Sequence, residues 1–196
     1  MLVVQKLKQP ILVIMALLLL FCSVGAFIYL NDQQNKKVRE QQEKDANIEY
    51  NTIIVHACDI YQLADAQKLL GDQVKYEDTT VGAESSGDID VSACSYSTPF
   101  KTVTELNSAK TSSLLVRTPK TAKGALANRD NFNNEKPADA QDILGYGNQA
   151  YWVPSKAQLK VYKDGNLIIM SAGNLRVEKR TLEETKKLAD IIMPKI

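Results

Sequence analysis

GYGNQAYWVPSKAQLKVYKDGNLIIM, residues Gly145 to Met170, decides between two folds. Its first six letters match G-x-G-x-x-A, the pattern of a loop that cradles a dinucleotide pyrophosphate. Such a loop needs a strand before the glycines and a helix opening within them, because the pyrophosphate sits on the helix N-terminus. Here the preceding stretch is ADAQDIL, and the next residues are Tyr151-Trp152-Val153-Pro154, aromatic and β-branched side chains closed by a proline. That composition suits a strand and cannot open a helix. Gly145 and Gly147 therefore read as a bend that swings the chain into a strand. A doubly wound nucleotide-binding fold is set aside.

Outward from this stretch, AYWVP, QLKVYK and LIIMSAG read as three strands. The last two are joined around Lys163-Asp164-Gly165-Asn166, where Asp-Gly is the strongest short hairpin signal. Downstream, Thr181 and Glu184 form a T-x-x-E capping box. It opens a helix whose Leu182, Leu188, Ala189, Ile191 and Ile192 face a core, and Pro194 ends it. Upstream, VSACSYST alternates with Cys94 and Tyr96 on one face, and SSLLVRT is a strand stopped by Pro119. TAKGALANRDNF places Ala122, Ala125, Leu126, Arg129 and Phe132 at helical spacing, although Gly124 weakens the helix. In CDIYQLADAQKLLG the apolar positions Ile60, Leu63, Ala66, Leu69 and Leu70 predict one helix, with Gly71 placed for a left-handed cap. TTVGAESSGDID, residues 79–90, reads as a loop or hairpin tip. Helices are too few to cross over between all the strands. The expected class is α+β, one domain over residues 53–196 with a mainly antiparallel sheet flanked by helices.

Ahead of the domain, ILVIMALLLLFCSVGAFIYL, Ile11 to Leu30, carries no charged residue. At about 1.5 Å per residue it is long enough for the roughly 30 Å hydrocarbon core, so it reads as a transmembrane helix with residues 1–10 cytoplasmic. Val24-Gly25-Ala26 offers a signal-peptidase site, yet the apolar run continues to Leu30, beyond a signal h-region. Lipidation of Cys22 would want a small residue where Phe21 stands. The expectation is an uncleaved anchor. Residues 31–52 are rich in Gln, Lys and Glu, with too few apolar positions to bury a face, and form a polar stalk able to continue the helix.

Orientation is argued from two directions. Lys6 and Lys8 precede the span, whereas Lys36, Lys37, Arg39 and Lys44 come after it, a bias toward a cytoplasmic domain. Large domains translocate with little regard for flanking charge, however, and the cysteines favour export. With Cys22 in the apolar run, Cys58 and Cys94 are the remaining pair. Neither lies in a C-x-x-C or at metal-ligand spacing from His56, the single histidine, so they read as one disulfide. Two buried free thiols in a cytosolic domain are the alternative.

Chemistry is sparse. Lys and Arg total 24 against 23 Asp and Glu, with no basic stripe, so a nucleic-acid partner is not expected. There is no G-x-S-x-G, S-x-x-K, H-E-x-x-H or P-loop lysine, and no catalytic residue, cofactor site or metal-ligand set is assigned. His56 reads as a surface or packing residue, and the pairs Asp139/Asp142 and Glu183/Glu184 as solvated charges. A hydrolase using carboxylates dispersed along the chain is the enzymatic alternative. Tyr146, Tyr151, Trp152 and Tyr162 fall in one stretch and form the candidate ligand or partner surface. For those that alternate inward, core packing competes. The expected function is a membrane-anchored extracytoplasmic binding module, not an enzyme, holding an apolar ligand, a glycan or an envelope protein. A structural subunit of an envelope complex shares these features.

ACDIYQLADAQKLLGDQV, ACSYST and LGYGNQAYW, together with the hairpin and final helix beyond them, resemble the small secreted lipoproteins of unknown function found in actinobacterial-type envelopes. The resemblance covers roughly residues 55 to 193. It implies a Cys58–Cys94 disulfide, an antiparallel sheet flanked by helices similar to PsbP-type α+β domains, and a place at the bacterial cell envelope. It implies no activity. Phe21 before Cys22 departs from the clean lipobox of such proteins, which leaves the apolar span itself as the anchor.

Overall fold

Near-continuous burial along one hairpin fixes the centre of the architecture. β6 (Gln158–Lys163) and β7 (Asn166–Asn174) form a hairpin, and its turn residues Asp164 and Gly165 have φ of 50° and 83°. Positive φ at both positions is what a two-residue hairpin of this kind demands. In this computed structural model the described residues are 33, 35–37, 49–71, 73–77 and 85–196. The expected anchor 11–30 with Cys22, residues 1–10, most of the stalk and residues 79–84 lie outside them. Among the described residues no helix is long and apolar enough to cross a membrane.

Five further strands complete the sheet: β1 (Lys75–Glu77), β2 (Ile89–Ser97), β3 (Lys110–Pro119), β4 (Gln141–Asp142) and β5 (Gln149–Val153). Their order is β1-β2-β3-β7-β6-β5-β4, with every neighbouring pair antiparallel. The α+β class and antiparallel sheet expected from the sequence are therefore present. β3 and β7 meet at the centre, with Leu114 opposite Met170 and Val116 opposite Ile168.

Because successive strand residues point to opposite faces, β5, β6 and β7 feed two cores. Helices α1 (Ala57–Ile60), α2 (Leu63–Leu70) and α5 (Leu182–Ile192) bury Ala57, Ala66, Leu70, Leu188, Ala189 and Ile192 against one face. That face contributes Cys94, Leu114, Val116, Trp152, Leu159, Val161, Ile168 and Met170. α4 (Ala122–Asn134) brings Phe132 to the opposite face, against Tyr151, Val153 and Leu167. A short α3 (Val103–Leu106) lies in the β2–β3 connection.

The single helix expected over 58–70 is instead two. Tyr61 and Gln62 are extended, with φ, ψ of −115°, 94° and −97°, 164°. The break turns the Tyr61 ring fully into the core, edge-on to Tyr96 at 5.1 Å, with its hydroxyl 2.5 Å from that of Ser112. Burial of a large aromatic with its hydroxyl satisfied outweighs one turn of helix. Asp65 then accepts from the Gln62 N–H and starts α2. Gly71 ends α2 at φ 112°, ψ 168°, outside the expected left-handed helical region, while its N–H still reaches the Gln67 carbonyl. The Cys58 and Cys94 sulfurs lie at disulfide distance, with Cα atoms 5.0 Å apart, tying α1 to β2.

Gly124 has a reason that composition hides. A Cβ there would overlap the Asp88 backbone carbonyl, against which α4 is laid. Thr121 caps the same turn, accepting from the Gly124 N–H and donating to Asp88 Oδ1. Gly124→Ala should gain about 1 kcal/mol of helix propensity. The overlap is with backbone that cannot rotate away, and overpacking of this kind costs about 1–3 kcal/mol, so the net effect expected is destabilisation. A lower urea midpoint for the variant is the predicted result; a midpoint at or above that of the parent would show that α4 does not approach residue 88 this closely.

Candidate functional site

The glycine stretch that decided the fold also lines an open cleft near the sheet edge. Gly145 and Gly147 have φ of 94° and 56°. A Cβ on Gly147 would come within 2.6 Å of the Tyr162 carbonyl oxygen and 2.7 Å of Val161 Cγ1, so only glycine lets the loop lie on β6. Asn148 then pins it twice: its N–H donates to the Tyr162 carbonyl at 2.9 Å, and its Oδ1 accepts from the Asp164 N–H at 2.8 Å. On the other side the Tyr146 hydroxyl donates to Asp190 Oδ1 on α5 at 2.8 Å. Partial burial, and then the Asp190 carboxylate, push the Tyr146 phenol up to about 12. The loop is thus fixed from two sides before any ligand arrives.

Between this loop and the C-terminal end of α4 lies an open cleft of about 440 Å³. Phe132, Asn133, Lys136, Leu144, Tyr146 and Gln149 are among its lining residues. Leu144 is 93% exposed at the rim, the most exposed large apolar side chain among the described residues. Lys136 and Asp142 pair at 2.5 Å, and the Lys136 ammonium stands 5.5 Å from the Tyr151 ring centroid. Beneath them the Lys160 stem is buried, its ammonium 3.2 Å from the half-exposed Glu135. The cleft thus holds one cation and one anion, already neutralising each other. Among the described residues the side-chain amides of Asn133 and Gln149 have no hydrogen-bond partner.

Of the four aromatics chosen from the sequence, Tyr146 alone lines the cleft. Tyr151 is fully buried on the α4 face, donating its hydroxyl to the Phe132 carbonyl at 2.9 Å with the two rings 4.7 Å apart. Burial, with a contribution from Glu135, raises its phenol to about 12. Tyr162 is half-buried beside the same Phe132 ring at 6.0 Å, and burial raises its phenol too. Trp152 is 5% exposed in the opposite core. Strand alternation therefore divides the set, and the structure does not gather it into one surface. Asn133 and Lys136 carried no sequence signal, since nothing in the chain announces that the end of α4 approaches residues 143–149.

The carboxylates with a sequence signal are held apart by separate partners. Asp139 accepts from the Ser155 N–H at 3.0 Å, and these Ser155 bonds hold its carboxyl below the usual range. Asp142 pairs with Lys136, Glu183 with Lys186 at 3.2 Å, and Glu184 closes the Thr181 capping box. His56 Nδ1 is 3.8 Å from Asp90. Among the described residues no group of three or more His, Cys, Asp or Glu side chains is placed to hold a metal ion. Compared with known protein families, with curated proteins and with solved structures, the chain matches none.

Proposed function

We propose that the chain is a membrane-anchored extracytoplasmic binding module of a bacterial envelope, with the cleft beside Gly145–Gln149 as its binding site. The apolar run Ile11–Leu30 supports the anchor, and the Cys58–Cys94 pair suits an oxidising compartment. The resemblance to small envelope lipoproteins supports the same address. What carries the choice of site is the loop itself, with an almost fully exposed Leu144 on a backbone that Gly147, Asn148 and Tyr146 hold rigid. Presenting a fixed surface reduces the ordering cost that binding must overcome. Both faces of the sheet are filled by side chains, so the ligand meets the open cleft and not the interior.

One preparation tests both halves of the proposal. Full-length chain isolated from membranes should resist maleimide at Cys58 and Cys94 until reductant is added. By native mass spectrometry it should also retain a bound mass that Leu144→Asp loses at an unchanged melting temperature. Thiols reactive before reduction would overturn the location. A parent without bound mass, or a variant that keeps it, would overturn the site.

A further inference from the structure

The composition of the cleft narrows what it takes, and the inference rests on the binding-module reading above. An apolar ligand needs most of its surface enclosed, usually in a concave and largely hydrophobic pocket. Here the two apolar interiors are closed by α1, α2 and α5 on one face and α4 on the other. The cleft beside Gly145–Gln149 is open and edged with amides. An anionic or cationic ligand would want an unpaired opposite charge, whereas Lys136 and Asp142 already satisfy each other at 2.5 Å.

We infer that the cleft binds a neutral saccharide. A sugar ring presents hydroxyls that both donate and accept, alongside a patch of C–H that packs on apolar side chains. Planar side-chain amides match the first requirement because each carries an acceptor oxygen and a two-hydrogen donor nitrogen. Asn133 and Gln149 offer both with no partner among the described residues. Asn148 holds its oxygen on the Asp164 N–H, which fixes the amide plane and keeps its nitrogen as a donor. Leu144 and the Tyr146 ring supply the apolar strip, with Tyr146 held in orientation by Asp190. The Lys136–Asp142 pair adds a donor and an acceptor without net charge. Water in an open, polar cleft is readily exchanged for hydroxyls that reproduce its hydrogen bonds.

The test uses full-length chain in a polyoxyethylene detergent, because detergents with sugar headgroups would compete. Cellobiose, maltose and N,N′-diacetylchitobiose are the probes, read by saturation-transfer difference NMR, with decanoate as the apolar comparison. Saturation transfer to the ring C–H protons of at least one disaccharide is expected. The double variant Asn133→Ala, Gln149→Ala should weaken binding by about tenfold or more, as loss of two or more hydrogen bonds predicts. Leu144→Ser should reduce transfer to the C–H face, and Lys101→Ala, at a different cleft, should change nothing. Matching amide spectra establish that the variants are folded. Transfer from decanoate alone, lost in Leu144→Ser, would discard the saccharide and keep the cleft as a binding site. No transfer from any probe, or transfer equal in parent and variants, would discard both.

Discussion

Trp152→Ala is expected to cost about 3–5 kcal/mol, which for a domain of ordinary stability leaves little reserve. The side chain is 5% exposed and lies in the larger core with Leu159, Val161, Leu188 and Ile192. Across the ladder Trp152 faces Leu159 on one side and Gln141 on the other, so its removal opens a void between β5 and the helices that cover it. Close-packed surroundings relax only partly into such a space. Tyr146→Ala is the instructive contrast, because that ring is only partly buried, at the edge of the same core, and loses one hydrogen bond to Asp190. Its cost should be well below that of Trp152→Ala, while its effect falls on the cleft. Urea unfolding of both variants decides the matter. Equal midpoints for Trp152→Ala and the parent would remove Trp152 from the core and return it to the surface on which the sequence alone groups it with Tyr146.

Opening the Cys58–Cys94 bond should be of similar size. The bond closes a segment of 36 residues, and the loss of unfolded-chain entropy from such a closure is worth about 4 kcal/mol in the chain-entropy model. The segment includes α2 and β1, a short helix and a three-residue strand with modest interfaces of their own. Holding α1 on β2 therefore keeps a weakly self-sufficient region in register. Reductant should lower the urea midpoint of the parent and leave that of the double variant Cys58→Ala, Cys94→Ala unchanged at its own lower value. A parent indifferent to reductant would mean that the two sulfurs, though at bonding distance, are not joined in the isolated protein.

How much of the fold is legible in the sequence depends on how local each signal is. The β6–β7 hairpin is written in Asp164-Gly165, and the start of α5 in Thr181 and Glu184, each within four residues. Alternation in β2 placed Cys94 and Tyr96 together, as they are. β1, β4 and α3 have three, two and four residues, too few for any period to show. The break at Tyr61 was hidden for a different reason, since the partner that draws the ring inward is Ser112, 51 residues away. In the candidate site Tyr146 was found because it lies in the glycine stretch itself. The division of Tyr151 from Trp152 was readable, for adjacent residues of one strand must point to opposite faces. Asn133 and Lys136 were not, because their approach to Leu144 is a property of how α4 docks.

The central β3–β7 ladder sets the order in which the domain can be assembled. It pairs Lys110 with Asn174, so the middle of the sheet joins segments separated by α4 and the three strands β4, β5 and β6. Contacts of such long range form late and slowly, because the intervening chain must first be closed into a loop. A chain delivered from its N-terminal end can bring Cys58 to Cys94 and fold β2 on β3 while β7 is still to come. Until then β3 carries an unpaired edge, the kind of template on which incomplete chains join one another. Truncation anywhere before Asn166, where β7 begins, would leave that edge open for good, and such fragments should aggregate even with the cysteine pair intact.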